Sequence, residues 1–277
     1  MATPIARLAD LVAAKLATGD AYAGRLAPGR RPLVTYQLDY AEETALYLGL
    51  DRRDLQRYAE ALRRCLVLLD PRPGDTLAIF DYGTSPVAYL ASAEYTPYLR
   101  RGAADALGCT TICNDGVTHM SARAAEILRY VRPRIFFLRL ECLAPFVTAC
   151  EAAGLQASRY LESIVATHNE GSLDASVRRR CQERLGVPIY ELARSDAALF
   201  MAMECPECRL MHTWGDLYRV ETVDGDSLEV VQGRPGSLVV TSRFARVCPA
   251  VRLLTRLEGR VAGPGCARGP GDLRWER

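Results

Sequence analysis

Two cysteines and a histidine fall within eight positions of the stretch E-C-P-E-C-R-L-M-H: Cys205, Cys208 and His212. Thiolate and imidazole are the ligands that suit tetrahedral zinc, and a C-x-x-C turn can bring two sulfurs to one ion. A fourth ligand would close the set. Cys266, in the Gly/Pro-rich tail G-P-G-C-A-R-G-P-G, is the first candidate and Cys248 the second. The plainer alternative is that C-x-x-C marks a redox pair or nothing at all.

Other residues able to do chemistry gather in three short polar stretches: Asp81-Tyr82-Gly-Thr-Ser85, Cys113-Asn-Asp115-Gly-Val-Thr-His119 and Ala166-Thr-His168-Asn-Glu170-Gly. His119 and His168 are two of only three histidines in the chain. A histidine with a carboxylate, such as His168 with Glu170 or Asp115, could act as general acid or base. Ser85, Cys113 or Cys109 would be a nucleophile if a histidine approached it. The competing reading makes His119 and His168 ordinary polar loop residues.

Each polar stretch follows a short apolar run. Strands are expected at Thr76–Phe80, Thr110–Cys113, Ile135–Leu138, Ser163–Ala166 and Val187–Leu192. Helices are expected at Pro97–Leu107, Ser121–Val131, Leu143–Ala153 and Leu173–Leu185, stopped by Gly108, Pro133, Gly154 and Gly186. That alternation predicts βαβ units and a mostly parallel sheet, whose carboxyl-end loops are the usual place for a ligand. Ahead of it, helices are expected over residues 1–20 and, capped by Asp51, over Arg52–Leu69, with a Gly/Pro/Arg-rich connector at 21–35. After it, Tyr218–Thr222, Leu228–Val231 and Ser237–Thr241, joined by Asp-Gly-Asp and Arg-Pro-Gly turns, predict antiparallel hairpins. The expected organisation is a helical N-terminal segment (1–70), an α/β core (71–200), and a metal-binding seam with a β-rich portion (201–277).

The totals narrow the classes. At 277 residues the chain can bury a sizeable core, and a net charge of +2 gives no reason to expect nucleic acid. Ten cysteines in a chain this long are not a disulfide scaffold, and the charged amphipathic start is not a secretory signal. No apolar run reaches membrane-spanning length, so the expectation is a cytoplasmic protein that does not engage a membrane. Lys15 is the only lysine.

The pattern E-C-x6-H-x-W-x-D-x4-E, here Glu204, Cys205, His212, Trp214, Asp216 and Glu221, resembles a segment of the phenylacetate–coenzyme A ligase family of adenylate-forming enzymes. P-G-D-T-L-A-I, A-A-D-A-L-G-C-T-T-I, V-R-P-R-I-F-F-L, V-R-R-R-C-Q-E-R-L-G-V-P-I-Y, G-S-L-V-V-T-S-R and C-P-A-V-R-L-L-T-R-L are similar to further family segments, in the family's order, from about Pro71 to Arg268. The resemblance implies an α/β fold with a mostly parallel sheet flanked by helices and a smaller β-rich portion, like part of the N-terminal domain of adenylate-forming enzymes. It also implies a closed structural zinc site at Cys205, Cys208, His212 and Cys266, although only one cysteine of the family's later C-x-C-G-R pair is kept. Cys208 would replace the missing sulfur.

The departures from the family bear on function. The stretch Val34–Arg53, where the family has its Ser/Thr/Gly-rich phosphate loop, is acidic and glycine-poor. The Y-G-x-[ST]-E motif reads Tyr190-Glu-Leu-Ala-Arg194, without its glycine or its magnesium-binding glutamate, and Leu257 stands where an aspartate grips ribose. The segment that would precede the phosphate loop and the lid domain with its catalytic lysine have no counterpart in the sequence. The expectation is therefore an enzyme that uses neither ATP nor magnesium. It would act on an acyl or aromatic carboxyl or thioester substrate, free or carrier-bound, by condensation, cyclisation, acyl transfer or hydrolysis in a biosynthetic pathway. Tyr82, Ser85, Tyr190 and Arg194 are its expected substrate contacts, and His168, Glu170, His119 and Asp115 its expected catalytic groups. Two readings compete with it: a non-catalytic partner of a carrier or another subunit, and a ligase completed by a second chain. A homo-oligomer is compatible with all three.

Overall fold

Apolar runs of five to seven residues alternating with amphipathic stretches build the middle of the chain, as the composition requires. The computed structural model describes residues 3–41, 44–263, 266–269 and 273–276. In chain order the elements are β1 (Ala6–Arg7), α1 (Leu8–Thr18), β2 (Val34–Ala41), β3 (Thr44–Leu50), α2 (Arg52–Leu68), β4 (Thr76–Phe80), α3 (Pro86–Tyr89), β5 (Thr110–Asn114), α4 (Ser121–Val131), β6 (Ile135–Arg139), α5 (Leu143–Ala152), β7 (Ser163–Asn169), α6 (Ala175–Leu185), β8 (Ile189–Ser195), β9 (Phe200–Glu204), β10 (Met211–Thr213), β11 (Tyr218–Val223), β12 (Gly236–Ser242), β13 (Leu253–Ala262) and β14 (Leu273–Glu276). They form two compact units, one of residues 62–193 and one of residues 1–61 with 194–277.

In the 62–193 unit the strand order is β5-β4-β6-β7-β8, and the pairs β4/β5, β4/β6 and β6/β7 are parallel. These strands carry continuous apolar runs because helices cover the sheet. Phe136 packs against Phe146 of α5 at 5.2 Å and against Phe80 at 6.5 Å, within a core that also takes Leu128, Leu143, Val147, Ile164 and Ile189. Asp174 caps α6, accepting from the N–H groups of Ser176 and Val177 at 2.9 Å each.

The second unit is antiparallel apart from β1, which runs parallel to β13. Its main order is β11-β12-β13-β14-β10-β9. Tyr218 centres its core, edge-on to Phe200 at 5.0 Å and Phe244 at 5.9 Å, with its hydroxyl donating to Leu199 O at 2.9 Å. Gly259 of β13 has no room for a side chain: a Cβ would lie 2.7 Å from the ring of Trp275, itself buried.

Several expectations need correcting. No helix spans Pro97–Leu107; only a 3-10 turn at Asp105–Leu107 is present. The backbone there bonds outward instead of along a helix: Ala103 N–H to Leu90 O, Ala104 N–H to Ala91 O, and Gly102 N–H to the Asp105 carboxylate. Leu228–Val231 is not a strand but an Asp224-capped turn with Leu228 left-handed at φ 59°, leaving a single bridge from Val230 to Val223. Val34–Leu50, for which no element was expected, forms the hairpin β2–β3, a separate two-stranded sheet. Glu42 and Glu43 of that acidic stretch lie outside the described residues, as do Pro264 and Gly265 of the tail. β9, β10, β13 and β14 were not foreseen. Among the described residues no helix is long and apolar enough to cross a membrane.

Candidate metal centre and the crevice at the strand ends

β9 delivers Cys205 to a tight turn, and β10, antiparallel to β9, returns with His212 opposite Met203. The turn closes through Cys205 N–H to Leu210 O at 2.9 Å and Arg209 N–H to Cys205 O at 3.0 Å, with Arg209 left-handed at φ 60°. β14 pairs with the other edge of β10, and the turn that precedes it, closed by Gly269 N–H to Cys266 O, brings Cys266 in. Cys205, Cys208, His212 and Cys266 thus place their ligand atoms within 4.8 Å of one another. Cys205 Sγ lies 3.8 Å from Cys266 Sγ, and Cys208 Sγ 3.2 Å from His212 Nε2. Bonds of about 2.3 Å to a tetrahedral zinc put neighbouring sulfurs about 3.8 Å apart.

Three of the four are buried and Cys208 is half-buried. Burial pushes the Cys205 thiol up to about 11, against the N–H groups of Cys208 and Glu207 that point at its sulfur. For Cys266 burial also pushes upward, but the N–H of Arg268 and the thiols of Cys208 and Cys205 outweigh it and leave that thiol below its ordinary value. Backbone N–H groups aimed at sulfur favour thiolates. Together with the set of three sulfurs and one imidazole, they fit a metal such as zinc. Four protein ligands leave no open position, so such an ion would hold structure. Cys248 is elsewhere, its sulfur accepting from Gly49 N–H at 3.3 Å.

In the 62–193 unit the chain goes from β4 to β5 on one side and then to β6 on the other. The connections leave β4 and β6 in opposite directions, which makes their carboxyl ends the switch point where such sheets take a ligand. Asp81 sits there, 2% exposed. Its Oδ2 accepts from Ser85 Oγ at 2.9 Å and Thr167 Oγ1 at 3.0 Å, and its Oδ1 from Tyr82 N–H at 2.8 Å. Ser85 Oγ also accepts from Val87 N–H at 3.3 Å, capping α3. Arg139, the last residue of β6, lays its guanidinium on the Tyr82 ring at 3.6 Å, with Nε 3.9 Å from Asp81 Oδ1, Nη1 donating to Gly116 O at 3.0 Å, and Nη2 on Glu141.

His168 is on β7 rather than in a loop, and 7% exposed. Its carboxylate partner is Glu191 of β8, not Glu170 or Asp115: Nε2 and Glu191 Oε1 are 2.5 Å apart. Nδ1 accepts from Gly171 N–H at 3.2 Å, so Nε2 carries the proton and donates. Glu191 also accepts from Leu173 N–H at 3.1 Å and Arg178 Nη2 at 3.3 Å. The set fastens the β7–α6 connection, in which Glu170 is left-handed at φ 58°. Both ring nitrogens of His168 are thereby bonded, and its role as drawn here is to hold that loop. His119 and Asp115 are exposed. Burial pushes the Cys113 thiol up to about 11 and raises Cys109 as well, which disfavours a thiolate at either. Tyr190 is half-buried on β8, and Arg194 is buried with Nε 3.8 Å from Asp196 Oδ1. The strand ends therefore bring Tyr82 and Ser85 together with Asp81 of the same polar stretch, with Thr167 beside His168, and with Arg139, which the sequence did not single out. Arg139 had a signal, the first polar position after an apolar strand.

No protein-family model matches the sequence, and no curated protein matches it. Solved structures do match. A 2-hydroxyisobutyryl-CoA ligase in an open conformation, bound to 2-HIB-AMP and CoA, is similar over 98% of this chain and 62% of its own, with TM-score 0.80 and 19% identity. The same ligase in its thioesterification state covers 98% and 56%, with TM-score 0.80 and 20% identity. The anthranilate CoA ligase AuaEII with anthranoyl-AMP is similar over 76% of this chain and 39% of its own, with TM-score 0.54 and 14% identity. The fold is that of adenylate-forming acyl-CoA ligases, a mixed α/β architecture with a large sheet flanked by helices. The likeness does not single out phenylacetate–CoA ligases, and the chain spans less than two thirds of the length of these enzymes.

Proposed function

We propose that this chain binds an acyl or aromatic carboxyl or thioester compound at the carboxyl ends of β4 and β6 and acts on it without ATP. The reading rests on one observation above all. At the change of strand direction a buried carboxylate, two hydroxyls, a guanidinium and an exposed tyrosine form one cluster, at Asp81, Ser85, Thr167, Arg139 and Tyr82. The neighbours of similar fold were crystallised with acyl-AMP compounds, which makes an acyl or aryl group the natural ligand class. Groups for a triphosphate are lacking in the chemistry of the corresponding stretches. Val34–Leu50 forms a regular two-stranded ladder rather than a glycine-rich loop able to wrap a phosphate, and the motif ending at Arg194 carries a cation in place of a magnesium ligand. A structural zinc at Cys205, Cys208, His212 and Cys266 belongs to the same reading.

Thermal denaturation with acyl thioesters and aromatic acids, each with and without ATP and magnesium, tests it. Stabilisation by the acids or thioesters alone supports it; stabilisation by ATP with magnesium refutes it in favour of a ligase completed by another chain. A second reading, a non-catalytic binder, is favoured by His168, whose ring nitrogens both serve the β7–α6 connection. Ligand-induced stabilisation with no turnover of any thioester by the chain would select it.

A further inference from the structure

An open groove of about 440 Å³ runs between α4 and α5. Exposed Ala122, Glu126, Arg129 and Tyr130 form the outward stripe of α4, opposite the buried Ala124, Ile127 and Leu128. Ala125, Ala149 and Ala152 give the groove its apolar part. Tyr130 stands at its rim, 72% exposed, the most exposed of the large apolar side chains among the described residues. An aromatic ring left in water beside an open apolar groove is surface that a second molecule can cover.

The charges say which molecule. Two charged side chains line the groove, one of each sign: Glu126 and Arg129. Among the described residues the Glu126 side chain makes no hydrogen bond or ion pair, even with Arg129 one turn away. Arg129 donates from Nη2 to Ala153 O at 2.8 Å, which leaves its other nitrogens for another acceptor. Neighbouring charges are turned elsewhere: Arg132 lies over the Tyr160 ring at 5.9 Å, and Glu151 accepts from Arg184 Nε at 2.7 Å. An acid and a base three residues apart on one helix are self-complementary. With two copies of α4 laid antiparallel about a two-fold axis level with Ile127 and Leu128, Glu126 meets Arg129 of the second copy and Arg129 meets its Glu126. The same register sets Tyr130 level with Ala125 of the second copy, over the apolar part of that copy's groove.

We propose that the α4/α5 groove is a dimerisation surface whose occupant is the same groove of a second copy of this chain. The surface is independent of the ligand reading at the strand ends, and either stands without the other.

Sedimentation of the full chain at concentrations up to about 100 μM tests it. The wild type should associate to a dimer. Glu126→Arg and Arg129→Glu, each alone, place like charges opposite one another twice and should weaken the dimer about tenfold or more. The double variant carrying both reversals should recover it. A 1:1 mixture of the two single variants should also form dimers, since each supplies the charge the other needs. That recovery separates a lost contact from a folding defect. Tyr130→Ala should weaken the dimer by about tenfold as well. A wild type that stays monomeric overturns the proposal, and any other occupant of the groove gives that result. A dimer that survives each single reversal unchanged, or a mixture that fails to associate, also overturns it.

Discussion

Cys205 ties the candidate metal cluster together, its sulfur lying 3.8 Å from Cys266 Sγ and meeting the backbone N–H groups of Glu207 and Cys208. Elemental analysis of the purified chain should find about one zinc per molecule, with Cys205→Ser reducing it to background. A zinc-free wild type of full stability would overturn the centre. At this scale the sequence was legible where spacing is local: Cys205, Cys208 and His212 lie in one short stretch, and Cys266 was the favoured fourth ligand. It was not legible where a partner is chosen by sheet neighbours. Glu191 is 23 positions from His168 and meets it because β7 and β8 lie side by side, whereas Glu170, two positions on, is already past the end of β7 in a left-handed turn. A third residue bears on acid stability. Asp75, despite its desolvation, is held below its ordinary value by Arg134, which it meets at 2.5 Å. A depressed carboxylate stabilises the fold above its unfolded value, near 3.9, and the contribution is lost as pH falls through the lower folded value. Asp75→Asn should therefore lower stability at neutral pH and flatten its decline below about pH 4, as followed by urea denaturation across pH.

The elements were legible where an apolar run or stripe is bounded by a local stop. α4, with its apolar stripe and its stop at Pro133, has the bounds expected of it, and so does β4. The stretch at Pro97–Leu107 misleads because its backbone is satisfied by the segment around Leu90–Ala93, a tertiary fact with no periodic trace. β13 is different: Leu253, Thr255 and Leu257 alternate with exposed Arg256 and Glu258, a clean two-residue period legible in the sequence itself. Two substitutions test the elements that shape the crevice. A Cβ on Gly116 would lie 2.4 Å from Phe80 O and 2.6 Å from Asp81 Cα, both backbone atoms that cannot step aside. Gly116→Ala should lower stability by about 1–3 kcal/mol in chemical denaturation, as overpacking does, and should weaken any ligand seated at Arg139. Asp174→Ala removes the cap of α6 and should lower stability by about 1 kcal/mol, leaving ligand binding intact. Equal loss of binding in both variants would show that the crevice responds to general weakening rather than to the Gly116 approach.

At the scale of the whole molecule, two bodies of different character share one chain, a parallel one with helices over its sheet and an antiparallel one with a Cys/His cluster that could hold a metal. Their contrast was legible as a change of rhythm after Leu217. The joining of both chain ends into one unit was not, because it depends on pairings such as Ala6 with Leu253, separated by nearly the whole sequence. The molecule's single lysine is committed, with Lys15 Nζ donating to Ala45 O at 2.5 Å and lying 5.0 Å from the centre of the Tyr47 ring, so it is bound to the hairpin rather than available to a phosphate. A nucleotide bound at a hundred times its dissociation constant would stabilise a chain by about 2.7 kcal/mol, which in a protein of this size raises the melting temperature by several degrees. Millimolar ATP with magnesium should instead move it by less than about 1 °C, whereas an aromatic acid at a hundred times its dissociation constant should produce the full shift. The reverse ordering, a rise with ATP and none with the acid, would mean that the ladder at Val34–Leu50 opens to take phosphate and that the chain has kept the chemistry its sequence has lost the groups for.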